Sequence, residues 1–256
     1  MLARPEFLES VLMNAEANTE AYRVDGEPLE AVAYHRQLAS GWEQRYRKRS
    51  FKARQAVLIE CLEARDLAGG SWLDAGCGTG TLSRLLAGRG CRVLGVDAAM
   101  EMVEAAGQLA QAGDRSVQLK FERVETIARL PLVSNSCDGV LCSSVLEYVS
   151  DVDACLKEFA RVLRPGGLLL VSVPNRHSIV RLTQAGCHCL GKWLGQSWFA
   201  FLDYSRNQYS ADQFERRLAA YGFCAEKVVA FGSPLPKWAQ RSRYGGSLLM
   251  FVARRT

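Results

Sequence analysis

Residues 73–80 read LDAGCGTG, with glycines at 76, 78 and 80 set around Cys77 and Thr79, directly behind Asp74. An apolar run precedes this stretch, and TLSRLLAGR follows it with its leucines at helical spacing. That order makes it the corner between a strand and a helix. In an open parallel sheet, ligands bind outside the carboxyl ends of the strands. Glycines at such a corner let the backbone turn sharply and approach a ligand closely. Taken alone, the loop fits a dinucleotide, a reactive cysteine or some other ligand.

Working outward, short apolar runs alternate with amphipathic stretches. Strands are expected at Ser71–Asp74, Arg92–Asp97, Gln118–Phe121, Gly139–Ser143 and Gly167–Val173, and two more in FCAEKVVAF and GGSLLMFVARR near the end. Helices are expected at Thr81–Arg89, Met100–Ala112 and Val152–Leu163, and another beginning near Ser210, whose hydroxyl suits an N-cap. Continuous apolar strands separated by helices predict an α/β fold. The expectation is a Rossmann-like, seven-stranded, mostly parallel sheet with helices on both faces. Residues 1–68 read as an N-terminal helical cap, with a break around DGEP at 25–28.

Residues 176–206 form a long connection after the fifth strand, carrying Trp193, Trp198, Phe199, Phe201 and Tyr204. Ile179, Leu182, Leu190, Trp193 and Leu194 there fall on one helix face. The segment reads either as a lid insertion over a binding site or as additional core packing. With no internal repeat and no low-complexity tract, 1–256 is expected to be a single domain.

The balance of the chain is that of a globular protein: 48% hydrophobic, 23% charged, net charge +5. The one dense basic run, Arg45 to Arg54, lacks aromatic interleaving, so it does not suggest a nucleic-acid partner. It reads as a solvated helix face with one arginine turned toward an anionic ligand group. No stretch approaches ~18 apolar residues, so no integral membrane segment is expected. Charges interrupt the apolar residues of the N-terminus, which argues against a secretory signal and for a cytoplasmic protein. Nine cysteines fall mostly within apolar patterns and read as reduced thiols. GCHCLG clusters Cys187, His188 and Cys189 without a second ligand pair, so no metal site is assigned.

Asp97 closes the run after the glycine loop, where a carboxylate can accept both hydroxyls of a ribose. A dinucleotide loop needs a glycine at the place Thr81 occupies. Asp74 would also repel a pyrophosphate settling on the helix N-terminus, but would favour an ammonium or sulfonium. Cys77 could be activated by that N-terminus, yet no histidine lies near it in sequence, and a small buried turn filler is the simpler reading. A ribose acid beside a pyrophosphate-averse glycine loop describes S-adenosyl-L-methionine (SAM).

The chain here resembles the class I SAM-dependent methyltransferases, over roughly residues 40–256. The resemblance rests on LDAGCGTG, VLGVDAAMEMVEAA, NSCDGVLCSSVLEYVSD, LKEFARVLRPGGLLLVSVPN and YSADQFERRLAAYGF, in that order. Within the superfamily it is most similar to the branch of ubiquinone-biosynthesis O-methyltransferases and magnesium-protoporphyrin methyltransferases. The resemblance implies that Asp74, Gly76, Cys77 and Gly78 line the methionine part of the cofactor and Asp97 its ribose. It further implies Ala98 and Met100 beside the adenine and Ser143 beside the reactive end. Where many relatives place an acidic residue near the adenine amine, this chain departs with Arg123, Val124 and Glu125, of which Val124 is assigned a backbone contact and Glu125 stands as the candidate side chain. Arg54 would meet the cofactor carboxylate, with Tyr46 as companion. Where relatives read Leu-Glu-His after the fourth strand, this chain has Leu146, Glu147 and Tyr148.

Methyl transfer needs alignment, exclusion of water and, for some acceptors, removal of a proton. His177 in PNRHS, just past the fifth strand, is the first candidate base, followed by Glu147, while Tyr148 could donate to the acceptor. The lid aromatics, with Arg176, Arg181, Lys192 and Arg206, suit a small-molecule acceptor that is aromatic, apolar or acidic. Peripheral membrane contact through 178–202 is a rival use of the same residues. O-methylation is the leading expectation, with N-methylation or methylation of a carrier-protein carboxyl beside it. A non-catalytic SAM-binding subunit is the reading from another class.

Overall fold

The computed structural model describes residues 29–38, 49–63, 65–112 and 118–256. Two helices come first, α1 (Leu29–Leu38) and α2 (Arg49–Leu62). Strand and helix then alternate through β1 (Ser71–Ala75), α3 (Thr81–Ala87), β2 (Arg92–Asp97), α4 (Met100–Gln111) and β3 (Leu119–Arg123). After β4 (Cys137–Ser143) come α5 (Val152–Val162) and β5 (Leu163–Pro174). The expected lid segment holds α6 (Ile179–Trp193) and a 3-10 turn at Ala200–Asp203. The chain closes with α7 (Ala211–Ala220), β6 (Phe223–Phe231), the short α8 (Lys237–Gln240) and β7 (Leu248–Arg255). Much of the expected N-terminal cap, including DGEP at 25–28 and Tyr46, lies outside the described residues.

The seven strands form one sheet in the order β3-β2-β1-β4-β5-β7-β6. β1 to β5 pair in parallel, and β7 runs antiparallel between β5 and β6. Among the parallel strands β1, β2, β4 and the later part of β5 are buried on both faces, as expected of strands covered by helices on each side, while the edge strand β3 is half-buried. On one face Leu73, Val96, Val140 and Val171 pack against Phe159 and Leu156 of α5 and Phe214 of α7. On the other, Trp72, Val93, Leu141 and Leu170 pack against Leu58 of α2 and Leu86 of α3. Alternation along β1 sends Trp72 and Leu73 to opposite cores.

Helix starts follow local chemistry. Asp151 caps α5 by accepting the Ala154 N–H at 2.9 Å. Ser210 begins α7 with a capping box completed by Gln213. The fifth strand starts earlier than Gly167: Leu163 pairs with Cys137, and the register shifts before Gly139 meets Leu168. RPGG is thus the irregular first part of β5, with Gly166 at φ +76°.

This topology brings the carboxyl ends of β1, β2 and β4 side by side. The sheet order reverses between β1 and β4, which is where α/β sheets open a crevice.

Candidate functional site

A cavity of about 740 Å³ opens at those strand ends, within the roughly 300–1,000 Å³ range of small-molecule sites. Its floor is the glycine corner. Gly76 sits at φ +76°, and a Cβ there would come within 2.3 Å of Val145 Cγ2. The N–H groups of Gly76 and Cys77 both donate to Val96 O, at 2.8 and 2.9 Å, folding the loop onto β2. Asp97 then joins two corners: Oδ2 accepts from the Gly78 N–H at 2.9 Å and Oδ1 from the Ala99 N–H at 3.0 Å.

Asp74 is buried beneath the loop and accepts a hydrogen bond from the Ser83 hydroxyl. Burial pushes its pKa up to about 7, and the neighbouring Asp97 charge pushes the same way. The site thus places a carboxyl group at the cavity wall that a nearby cation would readily ionise. Cys77 is buried in the turn; burial, with the Asp97 and Asp74 charges, drives its thiol well above the ordinary range. A thiol so protonated is a poor nucleophile, in keeping with a turn filler.

The β4 end supplies the facing wall. Ser143 presents a hydroxyl that is shielded from solvent and has no hydrogen-bond partner among the described residues. Ser144 adopts φ +60°, a left-handed conformation uncommon for a side-chain-bearing residue. Its N–H donates to Ser172 Oγ at 2.8 Å, and its own hydroxyl accepts from Arg54 Nε at 3.1 Å. Arg54, on α2, is thereby drawn to the cavity wall.

Beyond β4, Glu147 and Tyr148 also face the cavity. Glu147 is buried and accepts from the Ser205 hydroxyl at 2.8 Å and from Arg181 at 3.4 Å. Arg181 donates as well to Ser205 Oγ at 2.7 Å and lies over the Phe201 ring. Burial, then the Glu147 charge, pushes the Tyr148 phenol well above its usual value, so it stays protonated. Arg181, Gln184, Phe199 and Phe201 from the 176–206 segment form the outer wall. Tyr34 of α1 lines the cavity and stacks on Tyr204 at 4.9 Å between ring centroids.

Among the residues read from the sequence, Arg54, Asp74, Gly76, Cys77, Gly78, Asp97, Ala98, Ser143, Glu147 and Tyr148 converge on this cavity. Four others do not line it. Met100 is exposed at the start of α4, and Met102, about half a helical turn on and so facing the other way, lines the cavity instead. Val124 is committed to the core, with its N–H donating to Asp97 O, and Glu125 points to solvent; Ile127 lines the cavity there. His177 stands outside the wall, where its Nδ1 accepts from Arg243 Nε at 3.2 Å. The Asn175 side chain turns the chain at that point by accepting the His177 N–H. Tyr46 lies outside the described residues.

His188 turns inward from GCHCLG to Trp198 O at 2.6 Å and Asp203 at 3.0 Å, whereas Cys187 and Cys189 are exposed. The side chains that sequence reading missed are chiefly Tyr34, Met102 and Ile127. Of the four lid cations read from the sequence, Arg181 lines the cavity.

A family model described as a methyltransferase domain matches residues 73–171. The chain is 35% identical over 136 residues to a ubiquinone biosynthesis O-methyltransferase of Xanthomonas oryzae pv. oryzae, covering 53% of this chain and 56% of that one. It therefore spans little more than half the length of that curated relative. Among solved structures, it is similar to the magnesium protoporphyrin IX methyltransferase from Synechocystis with bound SAM, with TM-score 0.60, 20% identity, and 88% of this chain and 97% of the other covered. A SAM-dependent methyltransferase from Mesorhizobium loti aligns with TM-score 0.58 and 22% identity, over 78% of this chain and 96% of the other. The parallel sheet with its antiparallel β7 and the glycine corner joined to Asp97 thus accompany a segment, residues 73–171, that matches the methyltransferase-domain family, on a fold shared with solved SAM-dependent methyltransferases.

Proposed function

We propose that this protein transfers a methyl group from SAM to an oxygen of a small-molecule acceptor, aromatic or extended and apolar in character. The observation that carries the reading is one continuous cavity running from the glycine corner to the aromatic residues of the 176–206 segment. Its residues fit the cofactor. The unpartnered Ser143 hydroxyl needs a ligand partner, the Asp97 carboxylate can accept ribose hydroxyls, and Asp74 suits a cationic group. Arg54 stands where a carboxylate would be met, and Ala98, Met102 and Ile127 offer apolar surface to a base.

SAM supplies an activated methyl group, so the chain needs no covalent nucleophile of its own. What its residues supply is placement. Phe199, Phe201 and Tyr148 exclude water from the acceptor side. Tyr148, held protonated, can donate to the acceptor, while Arg181 offers positive charge beside an acceptor oxygen. Glu147 is the carboxylate placed to receive a proton, and His177, off the cavity wall, is not in position for it. The O-methyltransferase relative supports oxygen over nitrogen as the acceptor atom.

We take 1–256 as a single domain, a view supported by the seven strands of the described residues joining one sheet. No helix among the described residues is long and apolar enough to cross a membrane. The nine cysteines form no disulfide, which suits a reducing compartment and supports a cytoplasmic location. The deciding experiment incubates the full chain and SAM with a panel of phenols, catechols and aromatic carboxylic acids, following S-adenosylhomocysteine. Acceptor-dependent product supports the proposal; saturable SAM binding with no turnover on any acceptor favours a non-catalytic binding subunit.

A further inference from the structure

Helix α6 is amphipathic in the reverse of the usual sense. In a helix packed on a globular protein, the apolar stripe faces the core and the polar face meets water. Here Arg181, Gln184 and His188 turn inward, two of them onto the cavity wall. Ile179, Leu182, Leu190 and Trp193 share the opposite face and stand in solvent, Leu182 at 64% and Trp193 at 82% exposure. Leu194 and Trp198 extend the exposed apolar surface past the helix end.

A second segment joins it. The Ile179 N–H donates to Tyr244 O at 3.0 Å, which fixes the start of α6 beside the loop between β6 and β7. That loop carries Trp238, 81% exposed, with Leu235 and Tyr244 also exposed. A tryptophan left almost wholly in water on each of two adjoining segments is far from the ordinary scatter of surface apolar residues.

Charge says what covers this face. Residues 175–202 and 232–247 contain no aspartate or glutamate. They carry Arg176, Lys192, Lys237, Arg241 and Arg243, all exposed. Lys192 pairs with Asp203 and Arg241 with Glu60, while Arg176, Lys237 and Arg243 make no ion pair among the described residues. Exposed tryptophan and leucine fringed by basic residues without acids is the composition of a helix lying in a lipid interface. A protein partner would demand a fixed apolar counter-surface, whereas a bilayer accepts both the stripe and the cationic fringe. We propose that the outward face of α6, together with the Trp238 loop, seats this protein on an anionic bilayer surface.

The test uses the full chain, sedimented with vesicles of phosphatidylcholine alone or phosphatidylcholine mixed with phosphatidylglycerol. Co-pelleting at least tenfold greater with the anionic vesicles, and reduced by high salt, is expected. The triple variant Leu182→Ser, Leu190→Ser, Trp193→Ser should lose it by at least tenfold and keep the wild-type melting temperature and SAM affinity, since these side chains leave the core untouched. Should that variant fail to fold, tryptophan quenching by brominated lipid in the wild type, weakened in Trp193→Phe, reads the same contact. Wild-type protein left in the supernatant with anionic vesicles at low salt overturns the proposal. So does a folded triple variant that still pellets, or sedimentation velocity showing a lipid-free dimer that this variant dissolves, since the face would then be covered by a second copy of the chain.

Discussion

Asp97 holds both the glycine corner and the start of α4 through its two oxygens. Its carboxylate therefore shapes the site before any ligand arrives. Replacing it with alanine is expected to weaken SAM binding by roughly 1–3 kcal/mol, the scale of losing charge-assisted hydrogen bonds. Calorimetry reporting unchanged affinity would remove Asp97 from the site. Asp74 makes a pH prediction. Its folded-state pKa, about 7, lies above the ordinary 3.8, so its contribution to ligand-free stability is present below pH ~4 and fades as pH rises through ~7. A cation bound nearby favours the ionised form, so SAM binding should release a proton below pH ~7. Affinity should then climb by up to about tenfold per pH unit between pH ~5 and ~7 before levelling. Titrations in two buffers of different ionisation enthalpy would expose that proton, and Asp74→Asn should flatten the profile. His177→Ala, in contrast, should leave turnover near wild type while Tyr148→Phe slows it; steady-state kinetics on the two variants compare the positions directly.

At the scale of elements, the strands and their helices were readable because each carries its own pattern. β1, β2, β4 and β5 are continuous apolar runs, and such runs mark buried parallel strands whatever lies beside them. The placing of β7 between β5 and β6 was not readable, since periodicity within a strand says nothing of its neighbours. The site divides the same way. Residues on the LDAGCGTG corner and at the end of β2 converge as expected, because local turns set them. Met100 and Glu125 each stand two residues from a side chain that lines the cavity, Met102 and Ile127, where small register differences decide which one points inward. The α6 stripe was legible as one face, but which way that face turned depended on the buried Glu147–Arg181 pair. Removing one partner of such a pair leaves the other charge unmatched. Arg181→Met is accordingly expected to cost about 3–5 kcal/mol, and Glu147→Gln added to it should recover part of that loss. Thermal denaturation of the single and double variants measures both.

For the whole molecule, two cores on opposite sides of one sheet tie α2, α3, α5 and α7 into a frame whose C-terminal edge is the cavity. A ligand bound at that edge stabilises everything that folds with it. SAM at a hundredfold excess over its dissociation constant should raise stability by about 2.7 kcal/mol through mass action. Differential scanning fluorimetry should follow this as a concentration-dependent rise in melting temperature. A flat response would mean that the folded chain does not bind SAM.

Ser144 sits left-handed between a backbone bond to Ser172 and a side-chain bond from Arg54. Glycine would take that conformation without steric penalty, and a laboratory selection for heat resistance alone should drift toward it, gaining about 1 kcal/mol. It would discard the hydroxyl that steadies Arg54. Engineering this protein for durability thus carries a built-in conflict at position 144, where the residue best for the fold is not the one best for holding the cavity wall.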